Sequence, residues 1–270
     1  MKALYTSILV LFFCFFTSCK ETKYKPSSKT VDTAAASSAK QDSSSLLDKC
    51  INAHGGIQKW TSFTGISYNL EENGKTVYQL TNIKDRRAYL KSNDYEVGFD
   101  GKVAWAKPDA SKIPGKSPAF YYNLDFYFLG VPFLLKDPGV VATDEGTSVI
   151  NGKNYKTLKI TFGSEIGLSP EDVYYLYLNP ETFRLEILTY SVSFFKKENA
   201  QINSAKTYSE YKEVQGIMMP TKLENFEWND GKLGKSTNHI RLFSDIQFLN
   251  EIPDKSIFEA PKGSITESIN

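Results

Sequence analysis

AFYYNLDFYFLGVPFLL, residues 119–135, is the stretch on which the reading of the fold turns. It carries more large apolar side chains than a surface loop should, so it must be buried against something. Gly130 and Pro132 interrupt any long helix, because one loosens the backbone and the other lacks the amide donor. The segment therefore reads as two short helices, or a helix and a turn, laid across the mouth of a curved sheet. A Pro/Gly/Lys/Ser loop at 107–118 precedes it and is expected to be exposed beside it. Lys136-Asp137-Pro138-Gly139 closes it.

On both sides of this segment the apolar residues recur with period two, the signature of strands with one buried face. The upstream run extends from Phe63 to Ala106, with Asn73-Gly74 and Asp100-Gly101 as tight-hairpin signals. The downstream run extends from Thr147 to Phe248, turning at Asn151-Gly152, Asn179-Pro180 and Asp230-Gly231. Connections this short imply antiparallel neighbours, since a parallel link needs a crossover of roughly a dozen residues. About eleven strands are expected. One helix precedes them at 45–54, with Ser45 as its cap, Asp48 completing a capping box, and Leu47, Cys50, Ile51 and His54 as its buried face. Gly55-Gly56 ends it. The expected fold is mainly β: a strongly curved antiparallel sheet, an incomplete barrel, with one face in solvent and the concave face covered by short helices.

The amino terminus reads differently. Lys2 precedes an unbroken apolar run at 8–16, far short of the roughly 20 residues that a helix needs to cross a bilayer. This matches the core of a secretion signal, and small Thr17 and Ser18 lead directly to Cys19. The arrangement resembles the bacterial lipobox, in the looser form found in Bacteroidota. That resemblance implies a signal peptide at 1–18, acylation of Cys19 with palmitate-like chains, and a stable membrane anchor. Residues 19–44 form a Lys/Ser/Thr/Ala/Asp/Pro linker with almost nothing to bury, which composition keeps extended. Residues 45–270 make up the folded domain. Lys20 is not the Asp that retains enterobacterial lipoproteins at the inner membrane, so a bacterial outer-membrane location is expected.

Lys and Arg number 32 against 31 Asp and Glu. Such a balance leaves no basic surplus for phosphate backbones, and nucleic acid is not an expected partner. Once Cys14 has left with the signal and Cys19 has been acylated, Cys50 stands alone and no intrachain disulfide can form. His54 and His239 are the only histidines. They lack Cys or carboxylate neighbours at metal-ligand spacing, so no metal and no cofactor is expected. His54 is expected to serve the helix end, and His239 to be a half-exposed strand residue. Gly163-Ser164-Glu165-Ile166-Gly167 lacks a phosphate-binding lysine and reads as a loop. The acidic pairs Asp144-Glu145 and Glu171-Asp172 read as solvated turns. No nucleophile, base and orienter come together, and an enzyme is not expected.

Three punctuation motifs carry a resemblance. They are Ala53-His54-Gly55-Gly56 with Trp60 after it, the hairpin at 172–190 turning at Asn179-Pro180-Glu181-Thr182, and the tail at 252–263, Ile-Pro-Asp-Lys-Ser-Ile-Phe-Glu-Ala-Pro-Lys-Gly. Together they resemble a Bacteroidota envelope lipoprotein family with the LolA-like fold of periplasmic lipoprotein carriers and lipid-binding lipoproteins. In that family a final strand ends in a Phe and a Pro-Lys-Gly. The resemblance implies a lipid, acyl chain or other apolar ligand bound in the concave face, with the helices as lid. The expected lining or lid residues are Trp60, Phe99, Trp105, Phe120, Tyr122, Phe126, Phe128 and Phe133. The alternative is a scaffold lipoprotein with an envelope protein as partner. In that case Phe126, Phe128 and Phe133 interdigitate with Trp60, Phe99 and Trp105, and no space is left.

Overall fold

A computed structural model describes residues 45–163, 169–194, 201–229, 231–252 and 254–269. Cys19, the signal and the linker lie outside the described residues, as do 164–168 of the glycine-bounded loop, Asp230 of one expected turn and Pro253 of the tail. Two short helices come first, α1 (Leu46–Ala53) and α2 (Ile57–Thr61). An upstream meander follows, β1 (Gly65–Glu72), β2 (Lys75–Asn82), β3 (Ala88–Lys91), β4 (Glu96–Phe99) and β5 (Val103–Lys107). The cover is α3 (Pro118–Tyr121) and α4 (Leu124–Gly130), with a 3-10 turn at Phe133–Lys136. The downstream meander is β6 (Val140–Ile150), β7 (Lys153–Phe162), β8 (Tyr174–Leu178), β9 (Leu185–Tyr190), β10 (Ser204–Val214), β11 (Ile217–Asn229) and β12 (Lys232–Leu249), and β13 (Ile265–Ser268) ends the chain.

These strands form one antiparallel, curved, open sheet in the order β13-β5-β4-β3-β2-β1-β12-β11-β10-β9-β8-β7-β6. Its two halves meet where β1 pairs with β12, far apart in sequence. Strand alternation sorts the side chains. Ile66, Tyr68 and Leu70 of β1, Leu158 and Ile160 of β7, and Leu176 and Leu178 of β8 join the helices in the main core on the concave side. Ala88, Leu90, Val97, Phe99, Ala104 and Ala106 of β3, β4 and β5 meet Ala119, Tyr121 and Tyr122 of the cover in a second cluster.

The cover is built as its sequence demands. Ser117 caps α3 by accepting from the Phe120 amide at 3.1 Å. Gly130 ends α4, and Pro132 precedes the final 3-10 turn. Below them Trp60 stacks face to face on Phe133, with centroids 4.5 Å apart and planes 6° from parallel. Phe126 adds a looser stack at 6.3 Å and Phe248 an edge contact at 5.7 Å. This part of the concave face is filled by the protein itself.

Several expectations are corrected. Among the described residues the sheet has thirteen strands rather than about eleven. The short β13 escaped notice because its residues are mostly exposed, which removes the apolar alternation. It pairs with β5, and the Glu267 carboxylate accepts from Ser117 Oγ at 2.7 Å and the Ala119 amide at 3.2 Å, tying the chain end to the cover. Strand β6 starts at Val140, so Asp144-Glu145 lie in a strand at a bulge rather than in a turn. Asp172 is buried rather than solvated; its carboxylate accepts from the Ser193 amide at 2.7 Å and from Ser191 Oγ at 3.2 Å. The 107–118 loop is not wholly exposed: it holds two 3-10 turns and buries Ile113. The tail ends no strand in a Phe. Instead Lys255–Phe258 is a 3-10 turn, and the carbonyl of fully buried Phe258 accepts from Trp105 Nε1 at 2.8 Å. The outer face is likewise not simply solvated, since Phe258 packs there with Leu80 and Ile252, and Tyr177 with Tyr155 and Trp228.

The first helix ends as expected. Ser45 Oγ accepts from the Asp48 amide at 3.1 Å, and Cys50 is wholly buried, which pushes its thiol pKa up. His54, at the C-cap and 1% exposed, pairs Nδ1 with the Cys50 carbonyl at 2.8 Å. Burial first, then the Arg184 cation, lowers its pKa from 6.5 to about 4, against the opposing carbonyl. The neutral imidazole is therefore favoured in the folded state, and that stability is fully present above 6.5 and lost as pH falls towards about 4. The loss is expected to reach roughly 3 kcal/mol. Urea denaturation of wild type and His54→Gln should show stability curves that converge across this interval; parallel curves would exclude His54 as the cause.

Candidate functional site

Beside the filled region the concave face holds a cavity of about 650 Å³. Its roof is Phe120, Tyr122, Asn123, Leu124, Tyr127 and Phe128 of the cover. Its wall is Phe162, Tyr174 and Tyr190 at the ends of β7, β8 and β9, with Val192 and Phe194 beyond. The rings touch in two groups, Phe128, Tyr190, Tyr174, Tyr127 and Phe162 in one and Phe120 with Phe194 in the other. Phe128 lies 4.9 Å from Tyr190, Phe162 5.2 Å from Tyr174, Tyr127 6.1 Å from Tyr174 and Phe120 5.0 Å from Phe194, all tilted or edge-on. Such arrangements suit the ring quadrupoles and leave an apolar surface between them. The size and lining fit a small-molecule site of about 300–1,000 Å³ with a few convergent polar groups.

Of the eight aromatic residues expected at such a site, Phe120, Tyr122 and Phe128 line the cavity. Trp60, Phe126 and Phe133 form the adjoining packed core. Phe99 backs the site, its ring 4.6 Å from that of Tyr122. Trp105 is not brought there. It sits on the outer face beside Tyr89, where Gly98 across the strand pair leaves no space for a Cβ and the indole takes that place.

The polar groups of the site were not singled out in the sequence. At one end Arg241 bonds Asp125 Oδ1 through Nε at 2.9 Å and lies 3.3 Å from Glu72. Gln79 Nε2 donates to Asp125 Oδ2 at 3.0 Å and its oxygen accepts from Tyr68 at 2.8 Å. His239 also contacts the Glu72 carboxylate. Behind the cavity wall lies Lys206, 1% exposed, whose ammonium donates to Asn225 Oδ1 at 2.5 Å and sits 4.6 Å from the Phe128 ring centroid. Burial and then the Arg241 charge lower its pKa from 10.5 to about 7, while Asp125 and Glu72 oppose the shift. Strand parity was the available signal. Lys206 shares a face with Tyr208, and Arg241 with Phe243, both core residues. Asp125 is the single carboxylate inside the apolar cover.

At the other end Arg86 Nη2 pairs with Asp137 at 2.5 Å. Its Nη1 and the Asn123 side-chain oxygen are buried, and neither finds a hydrogen-bond partner among the described residues. Each such group costs roughly 1–3 kcal/mol while unsatisfied. Both residues line the cavity, as does buried Asp172, whose pKa burial raises. Among the described residues no cluster of three or more His, Cys, Asp or Glu could hold a metal, and no helix is long and apolar enough to cross a membrane.

Comparisons with known proteins place this geometry beside others. A family model described as a family of unknown function, DUF6503, matches residues 111–238, which include the cover and most of the aromatic wall. No curated protein sequence matches the chain. Among solved structures the chain is similar to a LolA superfamily protein from Nitrosomonas europaea, at 12% identity over 80% of this chain and 96% of that one, with a TM-score of 0.49. It is also similar to a DUF1329 family protein from Desulfovibrio piger, at 12% identity over 79% of this chain and 95% of that one, with a TM-score of 0.48.

Proposed function

We propose that this chain is a non-enzymatic lipoprotein of the bacterial envelope, outer-membrane anchored through Cys19, which holds a lipid or acyl chain in the concave face of its sheet. The aromatic cavity of about 650 Å³ under α3 and α4 carries this reading. Its rings supply apolar surface with no nucleophile among them, and each methylene removed from water contributes about 0.8 kcal/mol. The packed Trp60 region lies beside it and is filled by the protein's own side chains. Membrane anchoring would keep such a site next to its ligand's source. The domain limits follow the same logic, with signal 1–18, linker 19–44 and binding domain 45–270.

Native mass spectrometry of the full chain purified without detergent, with solvent extraction of the same sample, tests the binding reading. A lipid-sized adduct that extraction removes is expected. A bare chain that also takes up no added acyl probe would overturn it and leave the scaffold reading with a protein partner. Anchoring is tested by metabolic labelling with a fatty-acid analogue, which should mark the wild type and spare Cys19→Ala; equal labelling of both would exclude Cys19.

A further inference from the structure

Lys206 is a buried cation without a counter-ion of its own. It is 1% exposed, and its ammonium donates to the neutral Asn225 Oδ1 at 2.5 Å. The rings of Phe128 and Tyr190 lie 4.6 and 6.0 Å from it, and both line the cavity. The carboxylates whose charge it feels are committed elsewhere. Asp125 accepts from Arg241 and Gln79, and Glu72 meets Arg241 and His239. Among the described residues no carboxylate pairs with Lys206 itself. A buried charge left in this way is costly, and repulsion from Arg241 adds to the cost. An anion bound beside the two cations would relieve both.

The same strands present donors to the cavity. Lys206, Asn225 and Arg241 stand on the adjacent strands β10, β11 and β12, each in step with a core residue of its own strand: Tyr208, Leu223 and Phe243. An ammonium only donates, so the Asn225 oxygen must face Lys206 and its NH2 is turned away. Arg241 spends Nε on Asp125 and Nη2 on Glu72. Asn225 Nδ2 and Arg241 Nη1 then bond to nothing among the described residues, and neither is sealed off as the Arg86 Nη1 and Asn123 Oδ1 are. Both residues line the cavity, with half-exposed His239 beside them. Strand β12 is bulged opposite Asn225, with Asn238 at φ 58°, and bulges re-aim side chains next to functional sites. The opposite end of the cavity suits an anion poorly, since Asp137 there already pairs with Arg86 and Asp172 adds a second carboxyl group.

We propose that the ligand is a free fatty acid, its carboxylate accepting from Asn225 Nδ2 and Arg241 Nη1 and serving Lys206 as counter-ion across the Asn225 amide. This rests on the acyl-binding reading and names the head group and the direction of its ligand. The chain then runs past Tyr190, which is close enough to Arg241 to feel its charge, and between Phe128 and Tyr174 towards Phe162. A pH dependence follows. The groups around Lys206 are Asn225 of β11, Arg241 of β12, Glu72 of β1, Tyr190 of β9, and Asp125 and Phe128 of α4. Burial first and then Arg241 bring its pKa from 10.5 down to about 7, so the site holds this cation below that value and loses it above.

Calorimetric or displacement titration of the full chain with dodecanoate and methyl dodecanoate, at about pH 6 and about pH 8.5, tests the assignment. The wild type is expected to bind the acid roughly tenfold tighter than the ester at the lower pH, and the preference should shrink as Lys206 loses its proton. Asn225→Asp keeps an acceptor for Lys206 but supplies the counter-ion from within, so the preference should vanish or turn to the ester. Lys206→Met puts an apolar side chain of similar length in the buried position, and any remaining preference should no longer change with pH. Ester binding as tight as acid binding in the wild type, or a wild-type preference that ignores pH, would overturn the head-group assignment while leaving acyl binding intact. So would a preference that survives Asn225→Asp or a pH dependence that survives Lys206→Met. Failure of both probes to bind the wild type would overturn the acyl-binding reading itself.

Discussion

Asp125→Ala is expected to cost roughly 3–5 kcal/mol of folding stability, one of the largest effects a single change in this protein should have. Asp125 is 2% exposed and accepts from Arg241 and Gln79. Without it, Arg241 keeps only Glu72 among the described residues, and Gln79 loses its acceptor. The destabilisation comes from stranding a buried cation rather than from losing a favourable contact. The double variant Asp125→Leu with Arg241→Met should therefore recover much of the loss, because well-packed apolar groups replace a buried pair at little cost. Denaturant unfolding of the single and double variants is the measurement. A double variant as unstable as the single one would show that the network stabilises by its own bonds.

Trp60→Ala is expected to cost about 3–5 kcal/mol, through lost burial and the void left between Phe133, Phe126 and Phe248. It should leave acyl affinity unchanged, since Trp60 does not line the cavity. Phe128→Ala is the contrasting case. Phe128 faces the cavity, packs on Tyr190 and shields Lys206. It should lose both stability and acyl affinity. Thermal unfolding and titration with a fluorescent fatty acid, run on both variants, separate the two roles. Loss of affinity in Trp60→Ala equal to that in Phe128→Ala would mean that the packed and open regions are not distinct.

Much of this architecture was legible because it rests on local rules. Period-two alternation and the Asn-Gly and Asp-Gly turns disclosed the meanders, and Gly130 with Pro132 disclosed the breaks in the cover. What escaped depends on partners remote in sequence. β13 has almost no buried face and exists because β5 needs a neighbour and Glu267 reaches Ser117. Trp105 looked like any inward-facing aromatic until Gly98 and the Phe258 carbonyl drew it outward. The division of the cover was also invisible. Phe126 and Phe128 lie on one short helix, yet Phe126 packs towards Trp60 while Phe128 borders the open space. Asp125 could have been noticed as a lone carboxylate in an apolar run, and Lys206 and Arg241 by their parity with Tyr208 and Phe243. Their partners lie on neighbouring central strands that are far apart in sequence, with β1 and β2 beside β12 and β10 beside β11, which no spacing rule discloses.

The claim at the centre is that an acyl chain lies between the cover and the aromatic wall. A fatty acid bearing a photoreactive diazirine near its methyl end, bound to the full chain and irradiated, tests it by position. Peptide mass spectrometry should find the label on peptides carrying Phe128, Tyr174 or Tyr190, with excess unlabelled fatty acid abolishing it. Label that is not competed, or that falls on the outer-face peptides carrying Trp105, Trp228 or Phe258, would contradict the account.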